Sequence, residues 1–292
     1  MTQPRIAFLG LGLMGSGMAG RLLAAGFPLA VFNRNAAKAR PLVEAGARLA
    51  TSPRDAAKHA DVVISMVADD VASRALWLGE NGALAGVPRG AVLIECSTLT
   101  VDWVKELASL AAARGCELLD APVTGSRAPA AAGQLSFFVG GDISTLEKVR
   151  AVFAPMAKSL THVGPTGSGA LVKLINNFLC GVQVAALADA VALIEKAGLN
   201  RDQVLPIFTE GTPGSTLMKL LAPRMTARDY TPNFSLKLLT KDLGYALQEG
   251  EKHSVELATT AAALKVFQRA IAAGLGDQDM SAVVELLRKK TE

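Results

Sequence analysis

The stretch from Arg5 to Ala19, RIAFLGLGLMGSGMA, limits what this chain can build more than any other. Ile6 to Leu9 is a short apolar run of the kind that forms a buried strand. It leads into Gly10-Leu11-Gly12-Leu13-Met14-Gly15, after which Met18, Leu22 and Leu23 recur at helical spacing. A strand, a glycine turn and a helix in this order suit a dinucleotide. Gly10 permits the tight turn, Gly12 lets a pyrophosphate approach the backbone, and Gly15 lets the helix pack close to the strand. Leu13 and Met14 open the helix, whose free amides and positive dipole end face the phosphates. Three such glycines alone are equally compatible with a structural turn. The second apolar run, Leu29 to Phe32, follows at the distance a βαβ unit requires and favours the dinucleotide.

That second strand ends in Asn33-Arg34-Asn35, where a site for NAD normally places an acidic residue on the ribose hydroxyls. Asn33 followed by Arg34, with Lys38 a turn later, points to a 2′-phosphate and so to NADP, with NAD as the other possibility. The competing reading of Arg34 is a solvated loop residue without a partner.

Up to residue 163 apolar runs alternate with Ala-rich helical stretches. The runs at Val62 to Met66, Val92 to Ile94, Leu118 to Leu119 and Phe137 to Val139 imply a mostly parallel, doubly wound sheet covered on both faces. Open sheets of this kind bind ligands at the C-terminal ends of their strands. Two loops fall there: Val67-Ala68-Asp69-Asp70, whose aspartates suit a helix cap, and Cys96-Ser97-Thr98. Val67 offers backbone contacts to a cofactor. Thr98 offers a hydroxyl to a nicotinamide ribose, or else caps the next helix. Asp120-Ala121-Pro122-Val123-Thr124-Gly125-Ser126 then joins a strand end to a rigid loop with exposed amides, suited to a carboxylate or to an ordinary turn.

From Gly164 the punctuation changes. Gly-Pro-Thr-Gly-Ser-Gly at 164–169 opens a helical pattern running to about Gly198, with further helices expected at Arg201 to Glu210, Ser215 to Thr226, Lys237 to Glu251, Leu257 to Ala273 and Ser281 to Lys290. The fold class is therefore α/β: a Rossmann domain over 1–163, then an all-helical domain over 164–292, joined by a long helix. Within that helix Lys173 and Asn177 stand four residues apart, hence on one face, in an otherwise apolar segment. Such a pair is either a lysine with its head in water or a pair with a role.

With 50% hydrophobic and 19% charged residues, core size does not limit folding. No uninterrupted apolar run suggests a membrane span, and the N-terminus enters a strand rather than a signal peptide, so the expected compartment is the cytoplasm. Cys96, Cys116 and Cys180 form no CxxC pair and read as small core residues. His59, His162 and His253 are scattered, and no metal site is expected. The net charge of +4 is dispersed except at Arg288-Lys289-Lys290, which reads as a solvated helix end. Neither nucleic acid nor membrane is an expected partner.

Four motifs in order, FLGLGLMGSGMA, DAPVTGS, GSGALVKLINN and Lys241-Asp242-Leu243, make nearly the whole chain resemble the β-hydroxyacid dehydrogenase family. That family includes 3-hydroxyisobutyrate dehydrogenase, tartronate semialdehyde reductase and the glyoxylate/succinic semialdehyde reductases. The resemblance implies an active site in the cleft between the two domains. It makes Lys173 the catalytic lysine and Asn177 its partner. Thr124, Gly125 and Ser126 become the carboxylate loop, Phe234 and Asp242 further substrate residues, and Lys241 a cofactor-side residue. It also implies a small carboxylate substrate and a homodimer or homotetramer. Thr124 stands where many relatives carry Ser, which narrows the pocket, and Ser126-Arg127 resembles the semialdehyde reductases more than the Gly-rich loop of hydroxyisobutyrate dehydrogenases. The competing readings are an NAD-dependent 3-hydroxyisobutyrate dehydrogenase, an imine reductase-like enzyme, against which Lys173 argues, and a non-catalytic dinucleotide-binding protein.

Overall fold

A computed structural model describes residues 3–288. The chain forms two compact units, the first ending at Lys173 and the second beginning at Leu174. The first unit opens with β1 (Ile6–Leu9), α1 (Leu13–Ala24) and β2 (Leu29–Phe32). It continues through α2 (Arg40–Glu44), β3 (Arg48–Leu49), α3 (Pro53–Ala57), β4 (Val62–Ser65), α4 (Asp70–Trp77), α5 (Ala83–Gly86) and β5 (Val92–Glu95). After α6 (Val101–Ala113) come β6 (Glu117–Asp120), β7 (Val123–Thr124), α7 (Arg127–Ala132), β8 (Leu135–Gly140), α8 (Ile143–Phe153) and β9 (Ala157–Gly164).

The strands lie in the order β3-β2-β1-β4-β5-β6-β8-β7, with β9 on β8. Every pairing from β3 to β6 is parallel. β8 runs antiparallel to β6 and β7, and parallel to β9. The strand order reverses between β1 and β4, which opens a crevice at their C-terminal ends. Because helices cover the sheet, β1, β4 and β5 are buried at every position and read as unbroken apolar runs. The pattern of runs misses three strands. β3 and β7 have two residues each, and β9 is half-buried or exposed throughout, so none carries an apolar signature.

Side-chain caps start four of the helices α1 to α8. Ser52 accepts from the Asp55 amide, Asp69 from Ala72, Thr100 from Trp103 and Asp142 from Ser144, each cap contributing about 1 kcal/mol. The cap of α6 is thus Thr100 rather than Thr98. Of the cysteines, Cys96 and Cys116 are buried, whereas Cys180 is only partly so.

The division between units falls inside α9 (Ser168–Lys196), which starts after Gly164 because that glycine still belongs to β9. The second unit continues with α10 (Arg201–Glu210), α11 (Thr216–Ala227), α12 (Leu236–Lys252) and α13 (Ala258–Ala272). A 3-10 turn (Met280–Val284) and the short α14 (Glu285–Arg288) replace the single helix expected from Ser281; Lys289 and Lys290 lie outside the described residues. Val184, Leu187 and Val191 of α9 form a core with Leu221 and Met225, Leu239 and Leu243, Phe267 and Val283. By length and composition α9 could cross a membrane, with a mean hydropathy of 1.8 over its most apolar stretch. Val184, Leu187 and Val191 supply this core while Ile175, Leu179 and Leu193 are exposed, and the helix also carries the buried polar side chains Lys173 and Asn177. Arg288 is not a solvated end: its guanidinium is buried, 2.7 Å from Glu195 Oε2 and 2.9 Å from the Met225 carbonyl, and so fastens α14 to α9 and α11.

The first turn of α9 is held by a carboxylate from the sheet. Asp120, the last residue of β6 and 1% exposed, accepts the Gly167 amide on Oδ1 at 2.8 Å and the Ala170 amide on Oδ2 at 2.9 Å. Burial outweighs these amides and raises its pKa from 3.8 to about 6. The folded state therefore holds a proton that the unfolded chain has released between those values, and stability from this group is lost as pH rises through about 6. Asp120→Asn cannot titrate. Wild-type stability relative to this variant should fall by about 3 kcal/mol between pH 4 and 6 and then level, which urea melts across pH measure.

At the glycine turn, a Cβ on Gly15 would lie 2.0 Å from the Gly10 carbonyl oxygen, whereas one on Gly12 meets nothing within 4 Å. Gly15→Ala is expected to cost about 2 kcal/mol. Gly12→Ala should stay within about 0.5 kcal/mol of wild type, and denaturant unfolding of the two variants checks the contrast.

Candidate active site

In the first unit the glycine turn connects the C-terminal end of β1 to α1. Gly10 has φ of +97°, and a side chain there would meet the Met66 carbonyl at 2.3 Å and Val67 Cγ1 at 2.9 Å, so this turn packs closely on the loop after β4. Helix α1 has no side-chain cap and no acidic residue in its first turn, unlike the capped α3, α4, α6 and α8. Gly12 is exposed with open space above it, Leu13 is 51% exposed, and Met14 is half-buried. An uncapped helix start beneath an open glycine is a cradle that fits a pyrophosphate, since first-turn amides and the helix dipole both favour an anion.

Asn33 also has a structural task. Its Oδ1 accepts the Leu11 amide at 2.8 Å and its Nδ2 donates to the Asn35 carbonyl at 2.9 Å, so it braces the glycine turn against the end of β2. Arg34 and Lys38 are exposed beside it. The Asn35 side chain accepts from the Ala37 amide and starts the 3-10 turn that carries Lys38.

The loops after β4 and β5 are stitched together. Ser97 Oγ accepts the Val67 amide at 2.8 Å, and Asp70 accepts the Thr100 amide at 3.0 Å and its hydroxyl at 2.5 Å. Beneath them Glu95, 1% exposed, meets three donors that sequence reading did not assign: Ser73 Oγ and Trp77 Nε1 on Oε2, both at 2.8 Å, and the Ser97 amide on Oε1 at 3.0 Å. Trp103 Nε1 donates to Ser73 Oγ at 2.9 Å. Both oxygens thus face donors, which holds the carboxyl group from two sides. Val67 and Thr98, both half-buried, sit on the loops so held.

Thr124 ends β7 opposite Ser136 of β8 and is half-buried. Gly125 follows with φ of +132°, where a side chain would also meet Leu135 Cδ2 at 2.8 Å. Ser126 precedes α7 without bonding its amides, which leaves the hydroxyl uncommitted to capping. Lys173 is 9% exposed in the last turn of α9 that belongs to this unit.

In the second unit Asn177 is 2% exposed and Asp242 of α12 is 1% exposed. Asn177 Nδ2 donates to Asp242 Oδ2 at 2.6 Å, while its Oδ1 accepts from Asn176 Nδ2 at 2.9 Å. The amide orientation is thereby fixed from both sides. Asp242 Oδ1 lies 3.0 Å from Lys241 Nζ, although no hydrogen bond of good angle reaches that oxygen among the described residues. Lys241 also lies 5.0 Å from the centre of the Tyr245 ring. The expected substrate residue Asp242 is thus bonded to Asn177. Phe234 is half-buried against the helical core, and its amide and that of Asn233 are held by the buried Asp279 at 3.2 and 2.9 Å. Among the described residues no group of three or more His, Cys, Asp or Glu side chains could hold a metal ion.

A family profile described as the NAD binding domain of 6-phosphogluconate dehydrogenase matches residues 5–164, and one described as the NAD-binding domain of NADP-dependent 3-hydroxyisobutyrate dehydrogenase matches residues 167–287. The chain is 37% identical over 289 residues to an NAD-dependent L-serine dehydrogenase from Pseudomonas aeruginosa, covering 97% of each chain. It is 33% identical over 287 residues to glyoxylate/succinic semialdehyde reductase 1 from Arabidopsis thaliana, covering 98% of this chain and 99% of that one. A solved structure of Mycobacterium tuberculosis 3-hydroxyisobutyrate dehydrogenase with L-serine matches with a TM-score of 0.88 at 33% identity, over 99% of this chain and 100% of that one.

Proposed function

The chain belongs to the β-hydroxyacid dehydrogenase family of NAD(P)-dependent oxidoreductases, and from that premise we propose that it interconverts a small carboxylate-bearing aldehyde and its hydroxy acid with a preference for NADP. The observation that carries this reading is the pair of buried polar side chains on α9, Lys173 and Asn177, the second with its amide fixed by Asp242. A buried lysine and asparagine one turn apart suit a task that solvated side chains do not.

A bound nicotinamide supplies or accepts the hydride. The first-turn amides of α1 at Leu13, Met14 and Gly15, with Gly12 before them, would hold the pyrophosphate, while Val67 and Thr98 would contact the cofactor from the stitched loops. Lys241 would serve as a further cofactor residue. Lys173 donates a hydrogen bond to the carbonyl oxygen of the substrate and gives it a proton as negative charge develops there. In the reverse direction neutral Lys173 takes the proton from the hydroxyl. Asn177 has one Nδ2 proton on Asp242, and its second is available to the same oxygen. The loop at Thr124, Gly125 and Ser126 offers a hydroxyl pair and a backbone turn to the carboxylate, and Phe234 bounds the substrate on its apolar side.

The preference for NADP rests on the end of β2. An Asp or Glu there would repel a 2′-phosphate and bond a ribose hydroxyl. Here Asn33 is committed to the turn, and Arg34 and Lys38 remain exposed as cations for the phosphate. The Pseudomonas relative is named as NAD-dependent, which makes Arg34 the residue to test.

The reaction is tested by following nicotinamide absorbance with glyoxylate, succinic semialdehyde, tartronate semialdehyde and 3-hydroxyisobutyrate, each with both cofactors. One substrate should be turned over and the rate with Lys173→Ala should fall about 100-fold or more, with cofactor binding retained. Undiminished turnover in that variant removes the lysine from the chemistry, and inert substrates with intact cofactor binding favour a larger carbonyl, an imine or a binding role. Arg34→Ala should lower the ratio of kcat/KM for NADPH over NADH about tenfold, the loss of one charge-assisted contact. An unchanged ratio excludes Arg34 from the site.

A further inference from the structure

The function assigned above leaves the first residue of the DAPVTGS loop without a role. Asp120 stands between the two parts of the first unit that the reaction needs close together. On one side it clamps α9: its two oxygens take the amides of Gly167 and Ala170, and Lys173 follows Ala170 by three residues on the same helix. The other side is the sheet and the substrate loop. Asp120 is paired with Glu95 of β5 and Gly140 of β8, and the Ala121 amide donates to the Glu95 carbonyl at 2.8 Å. Four residues later Thr124 is fixed opposite Ser136, with the intervening Pro122 carbonyl accepting the Phe138 amide at 3.0 Å.

Around the carboxylate the backbones come close. A Cβ on Gly140 would lie 2.5 Å from Asp120 Oδ1. A Cβ on Gly169 would lie 2.4 Å from the Phe138 carbonyl and 2.7 Å from that of Asp120. Helix and strands therefore meet backbone to backbone around one carboxylate, and protein interiors packed this closely transmit displacement instead of absorbing it.

We propose that Asp120 is a positioning residue for catalysis, setting the place of Lys173 relative to the Thr124–Gly125 loop by clamping the first turn of α9 to the end of β6. It acts through Lys173 and touches no reacting atom, so the proposal rests on the reading of Lys173 as the proton donor. A glutamine or alanine at 120 breaks the clamp by size; Asp120→Asn keeps the shape but turns an NH2 group toward one of the two amides.

Asp120→Asn is compared with wild type and with Asp142→Asn, which makes the same carboxylate-to-amide exchange at the cap of α8, a helix without reacting groups. Three quantities are read: kcat for the panel substrate that wild type turns over, the Kd for NADPH by fluorescence, and the rate at which an amine-directed acetylating reagent labels Lys173, scored by peptide mass spectrometry with Lys241 as internal reference. Asp120→Asn should lower kcat at least tenfold, leave the Kd within twofold, and speed Lys173 labelling at least threefold, while Asp142→Asn changes none of the three beyond twofold. A kcat within twofold of wild type together with unchanged Lys173 labelling overturns the proposal and leaves Asp120 a structural cap. If Asp120→Asn does not fold, Gly169→Ala, which displaces the helix start with the carboxylate intact, is held to the same outcomes. Full turnover by Lys173→Ala defeats the underlying reading instead, and labelling of Lys173 remains informative where no panel substrate reacts.

Discussion

The carbonyl oxygen of Gly10 occupies the space where a side chain on residue 15 would begin, and the geometry of the first unit follows from that contact. With no Cβ at Gly15, α1 approaches the end of β1 closely enough to bury Met18, Ala19 and Leu22 against the sheet. Gly12 at the cap position leaves the start of α1 without a side-chain cap. Gly10 in turn leaves no room for a side chain beside the Met66 carbonyl, so the glycine turn lies close against the loop after β4. A phosphate cradle is thereby obtained from backbone spacing, with side chains needed only to brace it.

Around this frame the chain places carboxylates where solvent does not reach. Glu95, Asp120, Asp242 and Asp279 are all at most 1% exposed. Burying a charge is costly unless donors converge on it, and they converge here in different ways. Asp120 and Asp279 collect backbone amides and fix the start of a helix or a loop; Glu95 collects a hydroxyl, an indole and an amide; Asp242 collects an asparagine and lies beside a lysine. Each holds a segment that carries an assigned residue: Lys173, Phe234, Thr98 and Asn177 respectively. Loops at a site gain rigidity in this way at the expense of some stability, as the raised pKa of Asp120 records.

The sequence makes local features legible. The glycine turn, the buried strands β1, β2, β4 and β5, and helix α10 can be read from spacing because each depends on neighbours within a few residues. Arg201 to Glu210 opens after Asn200, whose side chain accepts from the Asp202 and Gln203 amides, a signal carried entirely within three positions. The features missed are long-range. Nothing near Asp120 announces that its partners lie 47 and 50 residues away, and Glu95 finds Ser73 and Trp77 across a helix and a strand. β9 escapes notice because its side chains are not buried, and Thr98 was a candidate cap only because Thr100, two residues on, offers the same chemistry. Asn33 shows the limit from the other direction. Its position predicts a cofactor contact, and the structure adds a bracing of Leu11 and Asn35 that the position does not announce.

The two tryptophans of the chain, Trp77 and Trp103, share one hydrogen-bonded group around Ser73 in the first unit, whereas the two tyrosines, Tyr230 and Tyr245, belong to the second. The protein thus sorts its chromophores by unit. Light absorbed by indole alone excites only the half with the glycine turn, and its emission reports the polarity around Glu95. Tyrosine absorbance belongs to the helical half. The two halves carry separate optical labels in their native sequence, and any difference in the order in which they melt is visible without modifying a residue.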